Sequence, residues 1–192
     1  LAALFHDIGK VQAKKEEKRI DNNGNEFIAL TFYNHEKYSK SITENILKRL
    51  KFSNEIIKNT LHLIENHMFY YESNWSNAAV RRFITKVGYE NVNNLFDLRI
   101  ADVYGKNNVM PPLSGGGLTE NLLEFRERID NEITKNSALS LKDLNVTGND
   151  LLLLGIPKGK IIGKILNELF ESVLEDPKLN NKEQLLFIAK NI

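Results

Sequence analysis

Apolar residues recur at helical spacing along almost the whole of this 192-residue chain. No other feature constrains the fold as tightly. Ile42, Ile46, Leu47 and Leu50 give residues 35–51 one apolar face, and Ile57, Leu61, Ile64 and Met68 do the same for a helix that Ser53 can cap. Asn77 can cap a helix over 78–87 that Gly88 ends, and another spans 90–104 up to Gly105. Residues 119–135 form a charged amphipathic helix, and 161–175 form another. Only 27–33 is β-branched and aromatic enough for a strand, and one isolated run makes no sheet. The expected class is all-α, a helical bundle followed by a smaller helical tail.

The strongest composition break is Asn107-Asn108, Pro111-Pro112 and Gly115-Gly116-Gly117, which reads as a linker. It divides the chain into an expected domain over 1–110 and a tail over 111–192. Leu1, Leu4 and Phe5 form an apolar turn with no cap ahead of it, so the sequence reads as a piece of a longer protein. The chain has no cysteine, which excludes disulfides and thiolate zinc sites. No run of 18 apolar residues occurs and Leu1 to Lys10 lacks a basic signal region, so a cytoplasmic protein without membrane association is expected. Lys and Arg total 26 against 25 Asp and Glu, a net charge of +1, so any nucleic-acid contact must rest on local clusters.

Chemistry concentrates first in Phe5-His6-Asp7-Ile8-Gly9-Lys10. Adjacent helical side chains point about 100° apart, so a His-Asp pair at a helix end can offer one cation two unlike ligands. An Asp at a helix C-terminus opposes the macrodipole, and a bound cation removes that penalty. Imidazole with carboxylate suits Mn, Fe, Co, Ni or Zn, whereas a carboxylate-rich set suits Mg. Asp102, in Arg99-Ile100-Ala101-Asp102, lies on the inward stripe four residues after Leu98. A buried carboxylate there needs a metal, an Arg or other donors, and Arg99 is a plain salt-bridge alternative. His35 opens the helix over 35–51. His67 lies three residues after Ile64 on the margin of an apolar face, where a satisfied boundary histidine is the plainer alternative. His62 falls off the main stripe and reads as structural.

Taken in order, His6-Asp7, His35, His67 and Asp102 resemble the HD superfamily of metal-dependent phosphohydrolases. The resemblance implies a divalent cation (Mg, Mn or Ni) on His6, Asp7 and Asp102, with a further family histidine lying upstream of His6. His35 and His67 can then bind a second cation. It implies phosphoester hydrolysis in which the cation polarises a phosphoryl oxygen and acidifies water, with Asp7 as a bridging or water-orienting ligand. Lys10 could meet a phosphate as a point charge, or be a solvated lysine at a helix end.

A narrower resemblance runs along the chain. Phe32-Tyr33-Asn34-His35-Glu36-Lys37-Tyr38-Ser39, Asn66-His67 and Val80-Arg81-Arg82-Phe83 look like the HD region of the bacterial tRNA nucleotidyltransferase and poly(A) polymerase family. Leu144-Asn145-Val146-Thr147-Gly148-Asn149-Asp150 and Gly155-Ile156-Pro157-Lys158-Gly159-Lys160 are similar to the C-terminal segment of those enzymes. This implies a CCA-adding or related enzyme whose catalytic head precedes Leu1, with tRNA or other RNA as partner and a nucleotide or other phosphoester at the HD site. Gly155, Pro157 and Gly159 make a turn into a helix start, where Lys158, Lys160 and Lys164 could hold RNA phosphates. Solvated lysines are the plainer alternative, and Glu168, Glu171, Glu175 and Asp176 limit the patch. Arg81 and Arg82 form a second RNA-binding candidate. Two other functions stay open: a free-standing HD phosphohydrolase acting on nucleotides or 2′,3′-cyclic phosphodiesters, and a non-catalytic HD fold that binds RNA.

Overall fold

Short polar side chains start several of the helices. Ser53 accepts a hydrogen bond from Ile56 N, Ser76 from Ala79 N, and Asn181 from Glu183 N, each satisfying an amide that the first turn leaves unpaired. The computed structural model describes residues 1–107, 118–135 and 138–192. In chain order the elements are α1 (Ala2–Phe5), α2 (Lys10–Ala13), β1 (Lys15–Ile20), β2 (Glu26–Thr31), α3 (His35–Arg49), α4 (Asn54–Asn66), α5 (Asn77–Val87), α6 (Tyr89–Asn107), α7 (Leu118–Thr134), α8 (Gly148–Leu153), α9 (Lys160–Glu175) and α10 (Lys182–Lys190). Short 3₁₀ turns lie at Leu141–Asp143 and Pro177–Leu179. The chain is mostly helical, as its periodicity requires.

The hairpin is the exception. The strand over 27–33 is not isolated: β1 pairs with β2 antiparallel, Lys15 opposite Thr31 and Arg19 opposite Phe27. β1 reads Lys-Glu-Glu-Lys-Arg-Ile and is exposed nearly throughout, so no apolar alternation marks it. The Asp21 carboxylate closes the turn by accepting from Asn23 N and Asn25 N, both at 2.8 Å. Helix α6 also differs from expectation by running through Gly105 to Asn107. Beyond Asn107, the expected linker lies outside the described residues.

Two compact units divide the described residues, and residues 71–89 group with the C-terminal part in space. The first unit holds 1–70 and 90–107. Two small apolar clusters lie in it: Ala2, Ile64 and Leu98 with Phe5, and Leu47, Ile57 and Leu61 with Phe5 and Phe52; Val92, Leu95 and Phe96 are buried as well. Helix α3 buries His35, Ser39, Thr43 and Leu47, a mostly polar row at i, i+4 spacing, and leaves Leu50 exposed. Helix α4 stops at Asn66, so the apolar stripe does not reach Met68. His67 turns inward there and Met68 outward.

Gly9 joins α2 to α3. Its φ of −77° is open to any residue, but a Cβ there would overlap Ser39 N and lie 2.5 Å from His35 O. Only glycine leaves that space, and Gly9 N donates to Ser39 Oγ at 2.9 Å across it.

The second unit has two packed groups. Phe125 stacks on Tyr71 at 4.2 Å between ring centroids and meets Phe83 at 4.8 Å. Leu151, Leu169, Val173, Leu174 and Leu185 form the larger core across α8, α9 and α10. Thr147 and Asp150 form a capping box at α8, and Lys182 reaches the same carboxylate at 2.6 Å. Gly155 (φ 87°) ends α8 in a Schellman turn, with Ile156 N donating to Leu151 O and Gly155 N to Leu152 O.

Candidate metal centre

Five side chains of the first unit converge. His6 caps the end of α1 and Asp7 follows it; His35 is the first residue of α3; His67 caps the end of α4; Asp102 lies in α6. Asn34, immediately before His35, takes a left-handed φ of 60°, a conformation that asparagine tolerates better than most residues. The ligand atoms of His6, Asp7 and His67 all lie within 4.8 Å of one another.

One device orients all three imidazoles. His6 Nδ1 lies 2.9 Å from Ala3 O, His35 Nδ1 2.9 Å from Phe32 O, and His67 Nδ1 2.7 Å from Ile64 O. Each partner is the carbonyl three residues back. A carbonyl can only accept, so each Nδ1 carries a hydrogen and each neutral ring keeps its lone pair on Nε2. All three Nε2 atoms then face acceptors. His6 Nε2 lies 3.2 Å from Asp102 Oδ1 and 3.5 Å from Asp7 Oδ2. His35 Nε2 lies 3.2 Å from Asp7 Oδ1, and His67 Nε2 lies 3.9 Å from the same oxygen. His35 Nε2 and His67 Nε2 face each other at 3.2 Å. Lone pairs set against lone pairs and carboxylates repel unless protons or a cation stand among them.

Protonation is unfavourable for His67. Burial lowers its pKa, and His6 and His35 push the same way, against the opposing pull of the Ile64 carbonyl and Asp7. At Asp7, burial works to raise the pKa, but the Lys10 hydrogen bond, with His6 and His35, outweighs it and holds the carboxyl below its ordinary value. Neutral imidazole and ionised carboxylate are the forms that bind metals. The donors are borderline imidazole nitrogen and hard carboxylate oxygen with no thiolate, a set that fits a divalent cation. The site is deepest at His67, whose side chain is 2% exposed, and opens at Asp7, 32% exposed. Lys10 Nζ pairs with Asp7 Oδ2 at that opening.

The five residues that the sequence order singled out thus come together. Both alternatives for Asp102 are present, with Arg99 Nη1 at 3.9 Å and His6 nearer at 3.2 Å. Arg81 does not fit an RNA contact. It is buried, Nη1 pairs with Glu132 at 2.6 Å, Nε donates to Leu174 O at 2.7 Å and Nη2 to Glu175 O at 3.0 Å. Its charge and donors are consumed inside the second unit. Arg82 is more exposed but spans Glu171 and Glu175, at 3.0 and 2.7 Å. Lys158, Lys160 and Lys164 are exposed at the start of α9.

The order of His and Asp residues gave no warning of a cleft beside the centre. Arg19, Phe32, Tyr33 and Met68 line about 470 Å³ of space together with Lys10 and His35. Its only sequence signal was the aromatic pair closing the run over 27–33.

The HD domain family model matches residues 1–106, and the model for tRNA nucleotidyltransferase domain 2 matches residues 116–189. No curated protein and no solved structure matches the chain. No helix among the described residues is long and apolar enough to cross a membrane.

Proposed function

This chain belongs to the HD domain family, and from that premise we propose that its first unit is a divalent-metal phosphohydrolase module of a tRNA nucleotidyltransferase-type protein. The carrying observation is the triple Nδ1 anchoring, which leaves three Nε2 lone pairs and the Asp7 carboxylate turned on one point. His6, Asp7 and Asp102 would hold one divalent cation, and His35 and His67 a second. Such a cation supplies Lewis-acid polarisation of a phosphoryl oxygen.

The chain's own groups do the rest. The carbonyls of Ala3, Phe32 and Ile64 fix the tautomers and ring planes. Asp7, the most exposed carboxylate, orients the attacking water at the mouth of the site, and Lys10 beside it offers a positive charge to the phosphate. In the second unit, Lys158, Lys160 and Lys164 would meet the RNA backbone, a reading supported by their exposure and by the tRNA nucleotidyltransferase domain 2 match.

The decisive experiment is phosphatase and 2′,3′-cyclic phosphodiesterase assays of the whole protein in Mg, Mn and Ni. His6→Ala and Asp102→Ala should each lower activity by more than the roughly 10–100-fold that loss of a group behind the ligands costs. Absence of activity in every metal, with both variants indistinguishable from the parent, would sink the hydrolase reading. Charge reversal at Lys158 and Lys160 should weaken tRNA binding and flatten its salt dependence; an unchanged slope removes the tail from the interface.

A further inference from the structure

We infer that the β1–β2 hairpin positions His35 and thereby sets how tightly the second cation is held, with Arg19, Tyr33 and Asn34 as the positioning residues. The inference rests on the reading that His35 and His67 hold that cation. The three imidazoles are anchored alike, but not from like places. His6 takes its carbonyl from Ala3 in α1 and His67 from Ile64 in α4, so each helix orients the ring at its own end. His35 is the first residue of α3, and the carbonyl three residues back belongs to Phe32, outside the helix. Phe32 O accepts from both Nδ1 and the backbone N of His35, at 2.9 and 3.2 Å. The ring is therefore placed only as well as Phe32 is, and Phe32 follows directly on β2.

The hairpin holds Phe32 from both sides. Thr31 and Tyr33 flank it, and β1 ties them together. Thr31 Oγ1 donates to Glu17 Oε1 at 3.3 Å. Arg19 Nη2 donates to Glu17 Oε2 and to Tyr33 Oη, each at 3.1 Å. Glu17 and Arg19 stand two residues apart on β1, so both project from one face of the ribbon. The bracket Thr31–Glu17–Arg19–Tyr33 thus closes around the residue whose carbonyl orients His35. Asn34 then turns the chain into α3 at a φ of 60° with no side-chain cap bond, a strained step that persists only where its surroundings hold it. The hairpin buries little of its own, since β1 is exposed nearly throughout. A change at its surface therefore reaches one metal-facing ring through Phe32 and leaves the other two to their own helices.

The test is calorimetric titration of the metal-free whole protein with Mn, with His67→Gln marking which equivalent lies on the His35 side. Asn34→Val puts a β-branched residue at a left-handed φ and should weaken that equivalent about tenfold, the lower end of what loss of a group behind a ligand costs. Arg19→Ala and Tyr33→Phe, which share one lost bond, should each weaken it about threefold, the size of an exposed charged contact. The equivalent on the His6 side should stay nearly as it was. Asn34→Gly takes the left-handed turn freely and should keep the parent's affinity. Nitrogen NMR of the histidine rings, without metal and at about pH 8.5, gives a second readout above the ordinary histidine pKa. His35 of the parent should carry its hydrogen on Nδ1, and Asn34→Val and Arg19→Ala should mix the two tautomers at His35 alone. Should Asn34→Val fail to fold, Arg19→Ala, a surface change, carries both readouts. Variants that weaken both equivalents equally, or that lower stability to denaturant while the second equivalent and the His35 tautomer stay unchanged, overturn the positioning role. If the parent takes up no second equivalent, the two-cation reading falls, while the His35 tautomer still decides whether the hairpin positions the ring.

Discussion

In the second unit, buried Arg81 sends each of its three nitrogens to an acceptor: the Glu132 carboxylate and the carbonyls of Leu174 and Glu175. In the first unit His35 and His67 are as deeply buried, yet their Nε2 atoms face each other 3.2 Å apart and share one oxygen of Asp7. Both clusters place ionisable groups out of water at considerable desolvation cost. They differ in complementarity. Donors that meet acceptors complete a structure, whereas acceptors that meet acceptors leave a place for positive charge. Burial alone therefore does not separate a functional polar residue from a structural one; what it faces does.

The largest test of this contrast is at Arg81. Arg81→Ala takes from the buried Glu132 carboxylate its 2.6 Å ion-pair partner, and should cost roughly 3–5 kcal/mol in chemical denaturation. Replacing the pair together, Arg81→Met with Glu132→Leu, should recover most of that loss, because a complementary pair can be exchanged for apolar packing. A double variant as weak as the single one would mean that the carbonyl contacts, and not the ion pair, hold this region.

At the opposed cluster the missing partner can be supplied. Mn or Ni at about 100 times its Kd should stabilise the protein by about 2.7 kcal/mol, read as a rise in Tm. Asp102→Asn should remove most of that gain, and Arg81→Met with Glu132→Leu should leave it intact. A metal-independent Tm in the parent would mean that protons, rather than a cation, resolve the lone-pair contacts, and the two clusters would then differ less than proposed.

How much of this was legible beforehand follows from the same distinction. His6, Asp7, His35, His67 and Asp102 could be found because their identities and order carry chemistry whatever their packing. Arg81 could not be read correctly, because its partners lie 51 to 94 residues away and nothing local marks them. Strand β1 was hidden because both of its faces meet water, so it has no apolar alternation to display. The cap at Ser53 was readable because it acts within three residues. His67 looked marginal only because helical phase was extended past Asn66, where α4 ends.

A smaller effect tests whether the metal cluster depends on close backbone packing. Gly9→Ala forces a methyl group against Ser39 N and His35 O, and overpacking of this kind costs typically 1–3 kcal/mol. Because His35 is the residue displaced, metal affinity should fall along with stability. Stability that falls while the metal-induced rise in Tm is unchanged would show that α2 supports the fold but not the site.

The smallest effect concerns Asp150, the helix-capping counterpart of Asp7. Lys182, together with the hydroxyl and amide of Thr147, stabilises the ionised carboxylate and holds its pKa well below the ordinary value of 3.8. A carboxyl with a lowered folded-state pKa contributes stability above its unfolded value, and loses it as pH falls through the folded one. Asp150→Asn should therefore lower Tm at neutral pH, with the difference closing as pH drops below about 3.8. Lys182→Met should reproduce part of that loss at neutral pH, since the capping hydrogen bonds to Thr147 survive it. Asp7 is also held below its ordinary value, but against burial and with imidazoles as partners, so added metal should move its acid limb while leaving that of Asp150 in place. A metal-dependent shift at both positions would mean that the two units do not unfold independently, and the contrast drawn between their clusters would have to be measured in isolated units.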